Sequence, residues 1–308
     1  MLTRVLRRTG HMALVVFGVV TLVFLLLRLA AGDPARLMVQ PGTPETAIQQ
    51  VRERIGTDQP LFQQFMEYLT GLVRGDLGTS FHGQQPVLDE VLRALPNTLL
   101  LGVVTMAVAS VLALVLGVAA AVRANSWVDR LVLAYVAVGL STPYFWLAVV
   151  LVLVFSVQLN WFPAIDFTGP SSLVLPVATL VITLTPILIR TIRQSLLQTL
   201  GEDHIRAARA RGLSERRVMF VHGLKEASLP LVTLIGLQAG FVLAGSYVVE
   251  FIFNWPGIGK LTLDAVTSRN FPMIQGGVLV AALTFVVVNF VVDLLYTLLD
   301  PRVRLAPT

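Results

Sequence analysis

The chain has 308 residues, of which 55% are hydrophobic and only 13% charged, with a formal net charge of +5. Soluble domains carry roughly 25% charged residues, so this composition excludes an ordinary soluble domain and indicates several membrane-spanning helices. The absence of cysteine excludes disulfides and thiolate chemistry, and the basic residues flank apolar runs, which favours membrane topology over nucleic-acid binding as the reason for the charge.

Six apolar segments are long enough to cross a bilayer, which takes about 20 helical residues. The first could be a cleaved signal peptide, but its apolar run is long for one, so a retained helix is favoured. The predicted fold class is therefore an all-α polytopic membrane protein. Its six transmembrane helices are predicted at 10–30, 97–122, 130–157, 173–195, 229–252 and 276–299.

The distribution of lysine and arginine predicts the orientation of these helices. With the N-terminus inside, most of the 23 basic residues lie on the inner side, as cytoplasmic loops require. Both termini are then cytoplasmic. The predicted regions are 1–30 (N-terminus and first helix), 31–95 (extracytoplasmic domain), 96–303 (membrane core) and 304–308 (tail).

The 31–95 segment is acidic on balance and contains two helix signals. Thr43-Pro44-Glu45 predicts a helix start, Gly56 a helix end, and Pro60 a second start. We therefore expect a small helical extracytoplasmic domain. It either caps the membrane core or forms a docking surface for an external protein, and both roles are compatible.

Small residues recur every four positions in the second and fifth predicted helices. Such ridges let helix backbones approach closely in lipid, so we predict helix packing there, within the subunit or against a partner subunit. Pro176 and Pro186 are expected to distort the fourth helix. The predicted packing residues are Thr105, Ala109, Ala113, Gly117 and Ala121, followed by Gly236, Gly240 and Ala244.

The chain carries no recognisable catalytic motif. Gly257-Ile258-Gly259-Lys260-Leu261-Thr262 superficially resembles a phosphate loop, but it lacks the first glycine and the adjacent hydroxyl that such a loop needs. Asp293 could belong to a proton relay, but pairing with Arg190 or Arg193 is the favoured interpretation. Glu250 and Arg28 lie near outer helix ends, where they could reach the interface. A transporter coupled to an ion gradient would thus have few ionisable side chains within its spans, which favours an external energy source for transport.

A strongly basic segment, residues 204–230, lies between apolar helices on the predicted inner side. It contains the pattern Ala207-Ala208-x3-Gly212, followed by Leu229-Pro230. Small residues permit close contact with another protein, and glycine lets the chain turn after a helix. The segment is therefore a candidate docking site for a cytoplasmic partner.

This pattern resembles the EAA signature of ABC importer permeases, although Arg206 stands where glutamate is usual. Four further motifs strengthen the resemblance to the dipeptide/oligopeptide/nickel class, in its first-permease (B-type) form, over essentially the whole chain. Asn270 departs from an expected aspartate, which puts any role of that carboxylate in doubt. The motifs are Gly75-Asp76-Leu77-Gly78-Thr79-Ser80, Leu95-Pro96-Asn97-Thr98, Ser141-Thr142-Pro143-Tyr144-Phe145, and Glu250-x2-Phe253-x2-Pro256-Gly257-Ile258-Gly259 with Arg269-Asn270-Phe271-Pro272 after it.

The resemblance implies a role for two groups of residues. A coupling helix at about 204–219 is expected to receive the motion of a cytoplasmic ATPase. A loop after the fifth helix is expected near the outer gate or the binding-protein contact, or else to be a purely structural turn. The coupling residues are Arg206, Ala207, Ala208, Arg209, Gly212, Leu213 and Ser214, and the outer-loop residues are Glu250, Phe253, Pro256, Gly257 and Gly259.

The resemblance also implies the partners and location. A second homologous permease, two ATPase subunits and an extracytoplasmic substrate-binding protein are expected, in the bacterial inner membrane. This chain should hold no cofactor, catalytic site or metal, with ATP and magnesium on the ATPases. Di- and oligopeptides are the first expected cargo, ahead of glutathione-like peptides and nickel chelates. An ion-coupled secondary transporter or a membrane-embedded enzyme are the competing functions.

Overall fold

The structure is a computed structural model that describes residues 2–30, 34–37, 39, 42–81, 83–163 and 169–299. Within these ranges every regular element is helical, which confirms the all-α prediction, and one isolated antiparallel bridge joins Thr79 and Pro86. The α-helices are α1 (Leu2–Ala30), α2 (Pro34–Leu37), α3 (Glu45–Ile55), α4 (Leu61–Val73), α5 (Val87–Val122), α6 (Trp127–Ser141), α7 (Tyr144–Leu151), α8 (Val174–Leu200), α9 (Asp203–Ala210), α10 (Glu215–Arg217), α11 (Leu224–Ile252), α12 (Ile258–Thr267) and α13 (Phe271–Leu299).

Three described helices are long and apolar enough to cross a bilayer: α5, the stretch Pro170–Leu200 that includes α8, and Phe271–Val292 of α13. Two more spans result if α6 with Tyr144–Gln158, and the two halves of α11, each count as one bent span. The apolar part of α1, Met12–Arg28, is shorter than these. The structure therefore supports three to five apolar spans, while the sixth span and the extracytoplasmic placement of 31–95 stay predictions.

The predicted third span is broken where the sequence indicated. Ser141 ends α6, Thr142 is extended (ψ 117°), and Pro143 precedes α7. Proline forces the preceding residue out of the helical region, and the two helical arms meet at 102°. A π-helical stretch, Val152–Gln158, extends α7.

The chain forms two compact units. The first comprises residues 1–98 and 256–286, and the second comprises 99–255 and 287–308. The predicted tail 304–308 and the side chain of Asp293 lie outside the described residues.

In the second unit, α5 packs its ridge of small residues inside the subunit. Thr105, Ala109, Ala113 and Ala121 are all at most 3% exposed. At Gly117 the approach is closest, because a Cβ there would lie 2.8 Å from the Ile192 Cβ of α8. Gly240 is buried, and a Cβ on Gly236 would overlap Val292 of α13. Glycine at these positions therefore sets how near the helices can lie.

The fourth predicted span corresponds to α8, which continues through Pro186 without interruption. The expected distortion at Pro176 is wrong for a local reason: this residue lies in the first turn, where a backbone N–H has no helical partner to lose. The Pro186 ring instead fills the space beside Gly139 of α6, where a Cβ would lie 2.5 Å from the proline Cγ. The tertiary contact thus accommodates the proline.

In the first unit, aromatic side chains join α1 to α4. Phe24 is 2% exposed and stacks on Tyr68 at 5.8 Å between ring centroids, and it also contacts Phe65. Burial raises the pKa of Tyr68 to about 12. The guanidinium of Arg28 lies 5.6 Å from the Phe24 ring centre, a cation–π contact inside the protein. Gly56 ends α3 in the left-handed conformation (φ 68°), at the stop that the sequence predicted.

Candidate coupling segment and outer loop

The candidate coupling segment consists of α9, a tight turn and α10. The predicted helix over 204–219 is wrong in extent, because α9 ends at Ala210 and α10 starts at Glu215. Gly212 has φ 78°, its N–H donates to Arg209 O at 2.9 Å, and the Leu213 N–H donates to Ala208 O at 3.3 Å. This pair of hydrogen bonds is a Schellman motif, in which the left-handed residue is usually glycine. The turn therefore depends on Gly212.

The two alanines of the motif have different surroundings. Ala208 is 9% exposed and packs with the fully buried side chains of Ile205 and Val218. Leu213 is partly buried against the same cluster, as the Schellman motif often requires. Ala207 is exposed on the outer face of α9. Only Ala207 of the pair is thus available to another protein, and Ala208 fastens α9 to its own subunit.

The arginines of the segment also divide by role. Arg209 spans the turn, with its Nε 2.8 Å from Glu215 Oε1, and a second guanidinium nitrogen donates to Leu200 O at 3.4 Å. The hydrogen bond from Arg209 lowers the pKa of the Glu215 carboxyl and raises the pKa of the guanidinium. Arg206, by contrast, is exposed, and its guanidinium contacts the highly exposed Asp203 at 3.3 Å. Arg209 stabilises the turn by its ion pair with Glu215, whereas the side chain of Arg206 is exposed.

Replacing Glu215 with glutamine is expected to loosen this turn. The lowered carboxyl pKa means that the ion pair is intact above the ordinary value of about 4.3 and is lost as the pH falls through the lowered value. At neutral pH the variant should therefore show about twofold to fivefold faster hydrogen exchange at the Gly212 and Leu213 amides. Exchange measured by mass spectrometry on the solubilised protein checks this. Asp203→Asn, which removes the exposed partner of Arg206, is the matched control, and equal exchange in both variants would contradict this stabilising role.

The outer-loop residues Glu250 and Phe253 belong to the second unit. The interpretation that Glu250 reaches the interface is wrong, because its side chain is fully buried and accepts a hydrogen bond from Ser246 Oγ at 3.1 Å. Phe253 is 4% exposed, and the Trp255 N–H donates to Glu250 O at 2.7 Å. These side chains stabilise the end of α11 from within.

The other outer-loop residues, Pro256, Gly257 and Gly259, belong to the first unit. Asn97 Nδ2 donates to Pro256 O and the Ile258 N–H donates to Thr98 Oγ1, each at 2.8 Å. The second bond satisfies an amide at the start of α12, a helix that the sequence reading did not anticipate. Gly257 and Gly259 are buried, while Pro256 is exposed. The Asn-Thr motif at 97–98 therefore holds the outer loop in place.

Asn270 connects two of the motifs within the first unit. Its Nδ2 donates to Ser80 Oγ at 2.7 Å, and its Oδ1 accepts from the Phe81 N–H at 3.1 Å. An amide can donate and accept in this way, whereas an ionised aspartate can only accept. The side chain that replaces the expected aspartate is thus a buried structural link, 5% exposed.

One charged pair was missed by the sequence reading. Arg193 pairs with Asp129 at 2.7 Å between Nε and Oδ1, and Arg190 is exposed. The predicted pairing of Asp293 stays a prediction, because its side chain lies outside the described residues. A sequence signal existed, since Ser126 and Asp129 form a Ser-x-x-Asp pattern before an apolar run, which is typical of a helix N-terminus.

Comparison with known proteins identifies the family. Residues 113–305 match the model described as "Binding-protein-dependent transport system inner membrane component", and residues 1–102 match the model of the corresponding N-terminal region. The chain belongs to this family. It is an ABC importer permease subunit of the peptide, oligopeptide and nickel class, and the family description implies a binding protein and a membrane location.

Full-length relatives support this assignment. The permease is 41% identical over 304 residues to the glutathione transport system permease protein GsiC of Escherichia coli O6:H1. The matched region covers 99% of each of the two chains. The GsiC proteins of Escherichia coli K12 and Salmonella paratyphi A match with the same identity and coverage.

Two solved structures share the fold of the permease. An inward-facing structure of the MetNI methionine ABC transporter has a TM-score of 0.57 at 21% identity and covers 68% of this chain and 96% of its own. An amino acid ABC transporter with histidines has a TM-score of 0.53 at 17% identity, with 70% and 94% covered. At these identities the likeness concerns the fold alone.

Proposed function

We propose that this permease imports short peptides, with glutathione-type tripeptides as the leading cargo, in an ATP-driven, binding-protein-dependent transporter. The observation that carries the cargo proposal is the 41% identity to a glutathione permease along 99% of both chains. The sequence motifs favoured di- and oligopeptides ahead of glutathione-like peptides, and on the strength of the full-length likeness we place glutathione-type peptides first. Specificity in such systems is shared with the binding protein, which delivers the cargo.

The proposed assembly places this subunit beside a second, related permease, with two ATPase subunits inside and the binding protein outside. Both termini are cytoplasmic in this arrangement, and six helices cross the bilayer. The basic 204–217 segment then faces the cytoplasm, in keeping with the positive-inside rule. ATP and magnesium are held by the ATPases, and the permease contributes half of the translocation pathway.

The geometry of α9 supports its role as the coupling helix. Its inner face is fastened by Ile205 and Ala208, and its C-terminal end by the Schellman turn. Its outer face presents the small side chain of Ala207 beside the cationic Arg206. A helix that is rigidly attached on one face and free on the other can transmit a push from a docked ATPase, because it moves as one body with the segments that hold it.

On the outer side, we assign the Pro256–Gly259 loop to the gate or the binding-protein contact. Exposed Pro256 accepts a hydrogen bond from Asn97 through its carbonyl oxygen, and Gly257 and Gly259 are buried. A loop held by side-chain hydrogen bonds to its backbone keeps one conformation, which suits a contact that must recur in every transport cycle.

Uptake by the reconstituted transporter tests the proposed cargo. Proteoliposomes that contain both permeases and the ATPases, supplied with the cognate binding protein, should accumulate labelled glutathione with ATP. We expect uptake to exceed that of dialanine by about tenfold or more, and a protonophore should leave it unchanged. A non-hydrolysable ATP analogue provides the control for energy coupling. Preferential uptake of a nickel chelate would contradict the proposed cargo. Loss of uptake with the protonophore would contradict ATP as the energy source.

A further inference from the structure

The Asp129–Arg193 pair lies outside both proposed sites, and its geometry is unusually well defined. Arg193 donates through two nitrogens, at 2.7 Å to Oδ1 and 2.8 Å to Oδ2 of Asp129. The Asn125 N–H donates to the same Oδ2 at 2.8 Å, and the Asp129 side chain is only 3% exposed. A bidentate contact of this kind fixes the relative orientation of the two groups as well as their distance.

The pair joins α6 and α8, which are also in contact further along their lengths. Tyr135 Oη lies 3.3 Å from Thr185 Oγ1, and Gly139 contacts Pro186. These contacts pack the C-terminal half of α6 closely against the middle of α8. Near the start of α6, the ion pair joins this helix to the part of α8 that leads toward α9.

The same end of α8 leads directly into the coupling segment. Arg193 precedes the last residue of α8, Leu200, by about two helical turns, or roughly 10 Å. Gly201 and Glu202 then connect α8 to α9. The Leu200 carbonyl accepts a hydrogen bond from Arg209, and the Leu200 side chain packs against the Ile205 cluster. A displacement of α9 would therefore be transmitted to the C-terminal end of α8, about two turns after Arg193.

We propose that Asp129 and Arg193 are positioning residues for coupling: they make α6 follow α8 when the coupling helix moves. This proposal rests on the proposed role of α9. An ion pair buried to this degree contributes little net stability compared with an apolar pair, because desolvation offsets the attraction. What it supplies is a fixed orientation, which a transmission element requires. When it is broken, the ATPases still turn over, but the membrane helices no longer respond together.

The test uses the complete transporter in proteoliposomes, and the readout is the ratio of ATP hydrolysis with and without the cognate binding protein. This ratio needs no identified cargo, so it is independent of the glutathione proposal. We expect Asp129→Asn and Arg193→Gln to lower the stimulation by about tenfold while the hydrolysis without binding protein stays near that of the unaltered transporter. Arg190→Gln, at an exposed arginine one turn away on α8, should leave the ratio unchanged.

Asp129→Glu keeps a carboxylate that can accept from Arg193 and from the Asn125 N–H, so it distinguishes coupling from simple destabilisation. We expect it to keep most of the stimulation that Asp129→Asn loses, at equal amounts of inserted subunit. The proposal is overturned if the single variants behave like Arg190→Gln, or if they reduce hydrolysis equally with and without binding protein. Failure of the proposed coupling role of α9 gives a different result. In that case the binding protein would stimulate ATP hydrolysis normally in Gly212→Val, while Asp129→Asn would remain impaired.

Discussion

Replacing Gly212 with valine is expected to abolish ATP-driven uptake while the subunit still inserts in the membrane. Gly212 has φ 78°, a conformation that costs an L-residue about 1–2 kcal/mol and is least tolerated by β-branched side chains. Relaxation of this strain breaks the hydrogen bonds to Ala208 and Arg209 and displaces Leu213 from the cluster on α9. Uptake in proteoliposomes and binding-protein-stimulated ATP hydrolysis measure the effect.

The matched control is Gly212→Asn. No heavy atom lies within 4 Å of a Cβ at this position, so space is not limiting, and asparagine tolerates positive φ better than other residues. Most of the uptake should therefore remain in the asparagine variant. If the valine variant transported normally, α9 would not be the element that receives the ATPase motion.

Replacing Gly117 with leucine is expected to prevent α5 from packing on α8. A Cβ at this position would lie 2.8 Å from Ile192 Cβ and 3.2 Å from the Ile189 carbonyl oxygen. The carbonyl belongs to the backbone of α8 and cannot rotate away, so the helices must separate. Overpacking typically costs about 1–3 kcal/mol, and a full leucine side chain places this variant at or beyond the upper end. The thermal unfolding temperature and yield of the solubilised subunit measure the loss.

Val115→Leu provides the control for this effect. Val115 lies on the same helix but is 59% exposed, so one added methylene should leave the unfolding temperature nearly unchanged. A stable Gly117→Leu subunit with unchanged unfolding would contradict the close approach of α5 and α8. The comparison separates the effect of the contact surface from any general effect of leucine in α5.

Several structural features were predictable because they depend on neighbours in the chain. Pro143 after Thr142 predicted the break between α6 and α7, and Gly56 and Gly212 marked helix ends, since proline and glycine act on the backbone locally. Four-residue spacing likewise indicated which face of α5 packs, because residues four apart share a helix face. The extent of α9 was misjudged, since the residues after Gly212 are themselves helix-compatible and continue the pattern.

By itself, the sequence determined that this is a multi-span helical membrane protein, where its chain turns, and which ABC permease class it resembles. Composition, charge and motifs carry that information in short segments. Only the tertiary structure decided that Ala208 faces inward while Ala207 faces outward, that Glu250 is buried, and that Arg193 pairs with Asp129. Each of these depends on residues distant in the chain, and helix periodicity does not specify which neighbouring helix a given face will meet.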